Sequence, residues 1–298
     1  MLIVGSVAVD TIRTPNGSAS DTLGGSATFA ALAAKHFGEI LLLSAIGPDF
    51  PQSLLKDLEA AQVPLNNLTR TKDGKTFRWE GVYDEGLGSR TTIGLDLGVM
   101  ATAKLNIPAK ALECRYAMMA TYHPTREMEV LGHLKRGTFV ATDTIFAWIE
   151  YEKEALTELY RHTNLICLDG HELKLFTKID DEAIAVKHLL SLGAEYVIVK
   201  YGKRGSRLYS KEGRTQFVGI YPNSPVETTG AGDTYLGAIM AYLNRKGQHT
   251  FEDVIEGMVW GSATASITTE AFGVNALIKT SFAEISRRFQ GVVREEVT

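Results

Sequence analysis

Two rhythms of apolar and polar positions run along the chain. Short, nearly continuous apolar runs at 2–9, 40–46, 116–120, 138–141, 164–168 and 196–200 read as buried strands. Stretches at 50–61, 125–135, 150–161, 181–192, 251–270 and 282–289 instead carry apolar residues at helical spacing. An Ala-rich helix is expected from the Gly24-Gly25 pair through about Phe37, with a stop at Gly38. Strand and helix taking turns in this way predicts an α/β fold: a central, mostly parallel sheet with helices on both faces.

Residues 65–98 break that rhythm. Alternating segments at 75–83 and 90–93 flank a Gly-rich turn at 84–88, the pattern of an antiparallel hairpin. Residues 11–21 are polar, with Pro15-Asn16-Gly17 as a turn between two short extended pieces. Together, 11–21 and 65–98 predict a small β-sheet inserted in a single domain over 1–298. Such a sheet serves as a lid or as a dimerisation ribbon.

Composition narrows the partners. A net charge of −4 gives no reason to expect nucleic acid, and no apolar run is long enough to span a bilayer. The N-terminal residues read as a strand rather than a signal peptide. The two cysteines, Cys114 and Cys167, have neither metal-ligand spacing nor a disulfide framework. A reducing cytoplasm is the expected setting.

The most informative local chemistry is at 227–233, where Glu227-Thr228-Thr229-Gly230-Ala231-Gly232-Asp233 runs into a helix with Leu236, Ile239, Met240 and Leu243 on one side. A helix N-terminus offers unpaired N–H groups and partial positive charge, and glycines let an anion come close. Asp233 is therefore either an acid complementing the dipole or a general base beside an anion hole. Asp10 ends the first apolar run, at the sheet edge where ligands gather, or forms a turn. Asp169 and Glu172, three apart after a strand, either hold Mg²⁺ through water or form a capping box. The Gly202 and Gly205 turn after 196–200 lacks the ending of a phosphate-cradling P-loop, and no Gly-x-Gly-x-x-Gly stands in the chain, which argues against a dinucleotide-binding dehydrogenase.

The order of these pieces resembles the ribokinase-like (PfkB) carbohydrate and nucleoside kinase family over essentially the whole chain. The segment 228–233 is similar to that family's C-terminal signature, and Gly24-Gly25 before the helix to its N-terminal one. Asp169-Gly170-His171-Glu172 resembles its Asn-x-x-Glu magnesium motif, and 199–205 its nucleotide-binding strand and turn. Three positions depart: Phe29 stands for a substrate-binding Asn, Asp169 for the motif's Asn, and Glu227 for the usual Asp.

The resemblance implies a ribokinase-like fold and an ATP-dependent kinase acting on a hydroxyl of a sugar. Asp233 would be the base, and the N–H groups of Gly230, Ala231 and Gly232 the anion hole. Lys200, Gly202, Gly205, Asp169 and Asn275 would serve ATP, and Asp10, Gly24, Gly25 and Phe29 the acceptor. Glu172 with Asp169 would place Mg²⁺, and Glu227 with Thr229 a monovalent cation such as K⁺. Phe29 and the 121–124 segment make the pocket less polar than a free-pentose site, so a nucleoside is the rival acceptor. A homodimer through the lid sheet is a further expectation. The alternative of another class is a catalytically silent protein that binds nucleotide or sugar to regulate a partner.

Overall fold

A computed structural model describes residues 1–88 and 90–294; Ser89 and residues 295–298 lie outside the described residues. The lid expected over 65–98 and the domain expected over 1–298 each include some of those positions. In chain order the strands are β1 (Leu2–Gly5), β2 (Ala8–Thr14), β3 (Gly17–Gly24), β4 (Leu41–Ile46), β5 (Leu68–Arg70), β6 (Arg78–Tyr83), β7 (Arg90–Asp96), β8 (Tyr116–Ala120), β9 (Phe139–Asp143), β10 (Leu165–Asp169), β11 (Tyr196–Lys200), β12 (Ser206–Ser210) and β13 (Thr215–Val218). The helices are α1 (Ser26–Ala34), α2 (Gln52–Ala60), α3 (Val99–Thr102), α4 (Pro124–Leu131), α5 (Phe146–Tyr151), α6 (Lys153–Arg161), α7 (Gly170–Thr177), α8 (Glu182–Ser191), α9 (Ala231–Lys246), α10 (Phe251–Thr268) and α11 (Phe282–Gly291).

Among the described residues, nine strands form one sheet in the order β13-β12-β11-β10-β9-β8-β1-β4-β5. It is parallel from β11 to β5, and β12 and β13 add an antiparallel edge. Side chains alternate across a strand. Leu2 and Val4 therefore enter the core with Trp148, Leu159 and Val186, while Ile3 enters the one with Leu32, Leu236 and Met258. The helices on both faces thus follow from the two-sided burial of the parallel strands. Register aligns the carboxyl ends: Gly5 pairs with Ala120, Ala120 with Asp143, and Asp169 with Lys200.

The second sheet, β3-β2-β6-β7, is the expected small one. Two boundaries differ from the sequence pattern. The apolar run 2–9 is not one strand: after Gly5 the chain turns through Ser6 and Val7, where Val7 N–H donates to Ser44 Oγ at 3.0 Å. It then continues as β2 of the small sheet, with Asp10 opposite Trp79. Asp10 therefore approaches the sheet edge from the small sheet and not from the end of β1. Residues 65–77 are not part of the small sheet either. β5 pairs in parallel with β4, and Asp49 Oδ1 accepts from Thr76 N–H at 2.7 Å and its hydroxyl at 2.9 Å, holding the chain to the main body until Arg78. Local pattern misses both, because β5 is three residues long and the β1–β2 break is only Ser6 and Val7, a single polar residue buried within an apolar run.

Candidate active site

The helix α9 starts at the carboxyl edge of the large sheet. Gly230 caps it with φ 73°, a left-handed conformation that suits glycine, and a Cβ there would overlap the Phe29 ring. A Cβ on Gly232 would sit 3.2 Å from Lys200 Nζ and 3.7 Å from Asp143 Oδ2. The helix therefore opens directly onto an ion pair. Lys200 Nζ bonds both Asp143 oxygens, at 2.9 and 2.8 Å, with 18% and 4% of the two side chains exposed. Burial is the largest single influence and depresses the Lys200 ammonium; only together do Asp143, Cys167 and Glu172 outweigh it and raise the pKa.

Carboxylates gather around this opening. Asp233, at the third helical position, is pushed up to about 7 by burial and by Asp143, against Lys200 and Arg90. Asp10 is raised to about 7 by burial and Glu227, while the Gly25 backbone hydrogen bond favours its charge. A Cβ on Gly24 would overlap the Asp10 carboxylate, so that glycine makes the room for it. Asp10 Oδ1 is buried and has no hydrogen-bond partner among the described residues. A buried orphan acceptor of this kind is costly unless a ligand donates to it. Glu227 is fully buried and also raised to about 7, first by burial.

Asp169 and Glu172 form a capping box on α7: Glu172 N–H donates to Asp169 Oδ1 and Asp169 N–H to Glu172 Oε2, both at 2.8 Å. The two alternatives for this pair are compatible, since each carboxylate keeps one oxygen outside the box. Burial drives the Glu172 pKa upward, with Lys200 opposing.

Both hairpins of the small sheet reach the loop before α9. Tyr83 OH lies 2.8 Å from Thr229 Oγ1, and Thr228 Oγ1 donates to the Leu87 carbonyl at 3.2 Å. Asn16 Nδ2 donates to the Val226 carbonyl at 3.3 Å. At the root of β7, Arg90 stacks 5.7 Å over Trp79 and remains exposed. Although the residue is exposed, crowding by the surrounding residues opposes its charge; Tyr83, Glu172 and Asp233 outweigh this and raise its pKa, and Arg90 in turn favours the charged forms of Asp10 and Glu227.

Of the residues singled out in the sequence, Asp10, Gly24, Gly25, Asp169, Glu172, Lys200, Glu227, Thr229 and 230–233 are thus brought to one edge. Gly205 is buried at φ 107°, where a Cβ would strike the Val218 carbonyl, whereas Gly202 is exposed. Asn275 is exposed, and its Nδ2 holds the Phe272 carbonyl at 2.8 Å. Phe29 differs from expectation. It is 1% exposed and lies beneath Gly230, so it supports the helix opening rather than facing an acceptor. Tyr122 is likewise fully buried, which removes the aromatic wall expected from 121–124. Sequence reasoning missed Asp143, Tyr83 and Arg90. For Asp143 a signal existed, an acid ending an apolar strand as Asp169 does; for the other two, none did.

The model of the pfkB family carbohydrate kinases matches residues 2–281. The chain belongs to that family. It is therefore a small-molecule kinase, a phosphotransferase with a hydroxyl acceptor. Its ribokinase-like fold agrees with the sequence expectation. Among curated relatives, a cytidine kinase of Thermococcus kodakarensis is 26% identical over 82% of this chain and 88% of its own length. A nucleoside kinase of Methanocaldococcus jannaschii is 28% identical over 88% and 84%. Among solved structures, a double-mutant fructokinase of Vibrio cholerae O395 with fructose, ADP and potassium ion bound has a TM-score of 0.80 at 18% identity, covering 97% of each chain.

Proposed function

We propose that the chain is an ATP-dependent kinase whose acceptor is a hydroxyl on the sugar of a nucleoside. The carrying observation is Asp233, a carboxylate with pKa about 7 at the opening of α9, facing the lid-borne Asp10 with its unpartnered oxygen. A base titrating near neutrality suits proton removal from an alcohol. The choice of a nucleoside over a free sugar is supported by the cytidine and nucleoside kinases that match over most of their length, whereas a ribokinase matches over 28% of its own.

In this mechanism Asp10 accepts hydrogen bonds from the acceptor's hydroxyls beside Gly24 and Gly25. Asp233 takes the proton of the attacking hydroxyl as its oxygen bonds to the γ-phosphorus and the bond to ADP breaks. Charge on the transferring group is met by the α9 opening, by Lys200 and by Arg90, and such preorganised positive groups supply most of the catalysis. Ala231 N–H is already engaged with the Thr228 carbonyl at 3.2 Å, so the anion hole rests chiefly on Gly230 and Gly232. The Gly202–Gly205 turn and the 272–275 loop, with Asn275, border the nucleotide.

Mg²⁺ fits the donor set. Among the described residues no cluster of three or more His, Cys, Asp or Glu side chains forms a cage, and the capping box leaves one oxygen each on Asp169 and Glu172 for metal-bound water. That suits an ion held mainly by waters and phosphates. Held there through water by Asp169 and Glu172, Mg²⁺ would supply neutralisation of phosphate charge.

Radiolabelled ATP offered with adenosine, cytidine, ribose, fructose and inositol tests the proposal. Label transfer to a nucleoside is expected. Transfer to a free sugar in preference to every nucleoside would overturn the choice of acceptor.

A further inference from the structure

Glu227 is fully buried, and each of its carboxylate oxygens is taken by a backbone donor. Oε2 accepts from Thr229 N–H at 2.5 Å, within the loop that opens α9. Oε1 accepts from Gly273 N–H at 2.9 Å, 46 residues further on. Gly273 has φ 57° and belongs to the 272–275 loop. One side chain thus ties the anion-hole loop to the loop bordering the nucleotide. The lid closes on the same point, through Thr229 and Tyr83.

The chemistry of these partners is wrong for a cation. Alkali ions are held by oxygen acceptors, whereas Glu227 is met by the N–H groups of Thr229 and Gly273 and by the Thr229 hydroxyl donating to it, donors whose positive ends repel a cation. The carboxylate is already met by hydrogen bonds from both loops.

We propose that Glu227 is a positioning residue that locks the two loops together directly, so that phosphoryl transfer by this chain needs no monovalent cation there. This sets the chain apart from the potassium-bound fructokinase, its neighbour in fold. The extra methylene makes the lock. Glu227→Asp withdraws the carboxylate by about 1.5 Å. An Asp still reaches an N–H two residues on, as in an Asx-turn, but loses Gly273. That leaves a buried oxygen without a donor, a place where a cation becomes useful.

The test compares wild type, Glu227→Asp and Glu227→Gln in potassium chloride and in tetramethylammonium chloride of equal ionic strength. Three readouts are taken: the rate with the best acceptor of the panel, the melting temperature with ATP and Mg²⁺, and the anomalous signal of thallium in crystals. Wild type is expected to show the same rate and melting temperature in both salts, and no thallium beside residue 227. Glu227→Asp is expected to lose ~10-fold or more in tetramethylammonium, the scale of one hydrogen bond to a charged group. Potassium should restore its rate and raise its melting temperature, and thallium should bind. Glu227→Gln, neutral, should be slow in both salts without rescue.

A wild-type rate that collapses in tetramethylammonium, or thallium bound beside Glu227, would overturn the proposal. So would a Glu227→Asp protein that folds and ignores potassium. The melting and thallium readouts need no acceptor, so a failed acceptor panel counts against the nucleoside assignment and leaves this one to be judged separately.

Discussion

Replacing Asp233 by Asn should move activity and stability in opposite directions. The amide keeps the size of the carboxylate but can neither accept the acceptor's proton nor carry charge. Loss of a general base lowers the rate ~10²–10⁴-fold. The stability change follows from the carboxylate's displaced titration. Its pKa is 3.8 unperturbed and about 7 in the folded chain, because burial and Asp143 disfavour the charge. The folded state therefore binds the proton more tightly than the unfolded one. Stability falls as pH rises from about 4 to about 7, with the full penalty present above 7 and none below 4. A shift of about 3 units sets a ceiling of about 4 kcal/mol. Solvent at this partly open site reduces it, so about 1–3 kcal/mol is expected. Urea unfolding of both proteins at pH 8 and pH 5, with kcat measured alongside, checks the pair of effects. The Asp233→Asn protein should show a raised midpoint at pH 8 and a smaller gain at pH 5. A variant retaining more than about a tenth of the rate would remove Asp233 as the base. A variant less stable than wild type at pH 8 would refute the electrostatic account even if the rate fell.

Three further outcomes are expected. The pH profile of kcat/KM for the acceptor should rise through about pH 7 as Asp233 loses its proton; a profile flat between about pH 5 and 8 would contradict this. Arg90→Ala should lower kcat/KM for ATP ~10–100-fold, the scale of one or two charge-assisted contacts, and an unchanged value by steady-state kinetics would detach Arg90 from the phosphates. Asp143→Asn should cost about 2–4 kcal/mol by denaturant unfolding, since it leaves Lys200 half-buried and unpaired; no loss would mean that Lys200 finds another carboxylate, with Glu172 the nearest candidate by its influence on the lysine.

What the sequence revealed, and what it hid, divides by the range of the interactions involved. The parallel sheet, the helix after Gly25 and the opening of α9 are written in local pattern, because burial on two faces and helix entry constrain neighbouring residues. Glu172 was legible for the same reason, as the capping box is a contact three residues apart. The sequence marks Asp10 as an acid closing an apolar run but places it on the wrong sheet: the turn after Gly5 is held by Ser44, 37 residues from Val7. Phe29 shows the converse. An aromatic replacing a polar residue in a helix entrance looks like pocket lining, yet its ring is covered by Gly230, from the far end of the chain. Arg90 and Tyr83 were invisible because strand periodicity says which side a residue faces, never which loop lies opposite.

The small sheet and the opening of α9 share one loop, and on the proposed mechanism this bears on how phosphate would be kept from water. Exclusion of water protects a reactive phosphoryl group only if the catalytic groups assemble when the lid is shut. Here the hydroxyls of Thr228 and Thr229 hold the β6–β7 hairpin, and the next residue is Gly230, whose left-handed turn starts α9. Lifting the hairpin removes Tyr83 from Thr229 and carries Arg90 away from Asp233 and Glu172. On the proposed mechanism, with the small sheet lifted the γ-phosphate would meet a loop released on one side and lose a positive partner. Glu227 holds that loop's other side to Gly273, so the opening of α9 stays formed while its outer contacts come and go with the lid. In the proposed mechanism the acceptor hydroxyl, bound by Asp10 beneath the small sheet, would then be the nucleophile present when the site is complete.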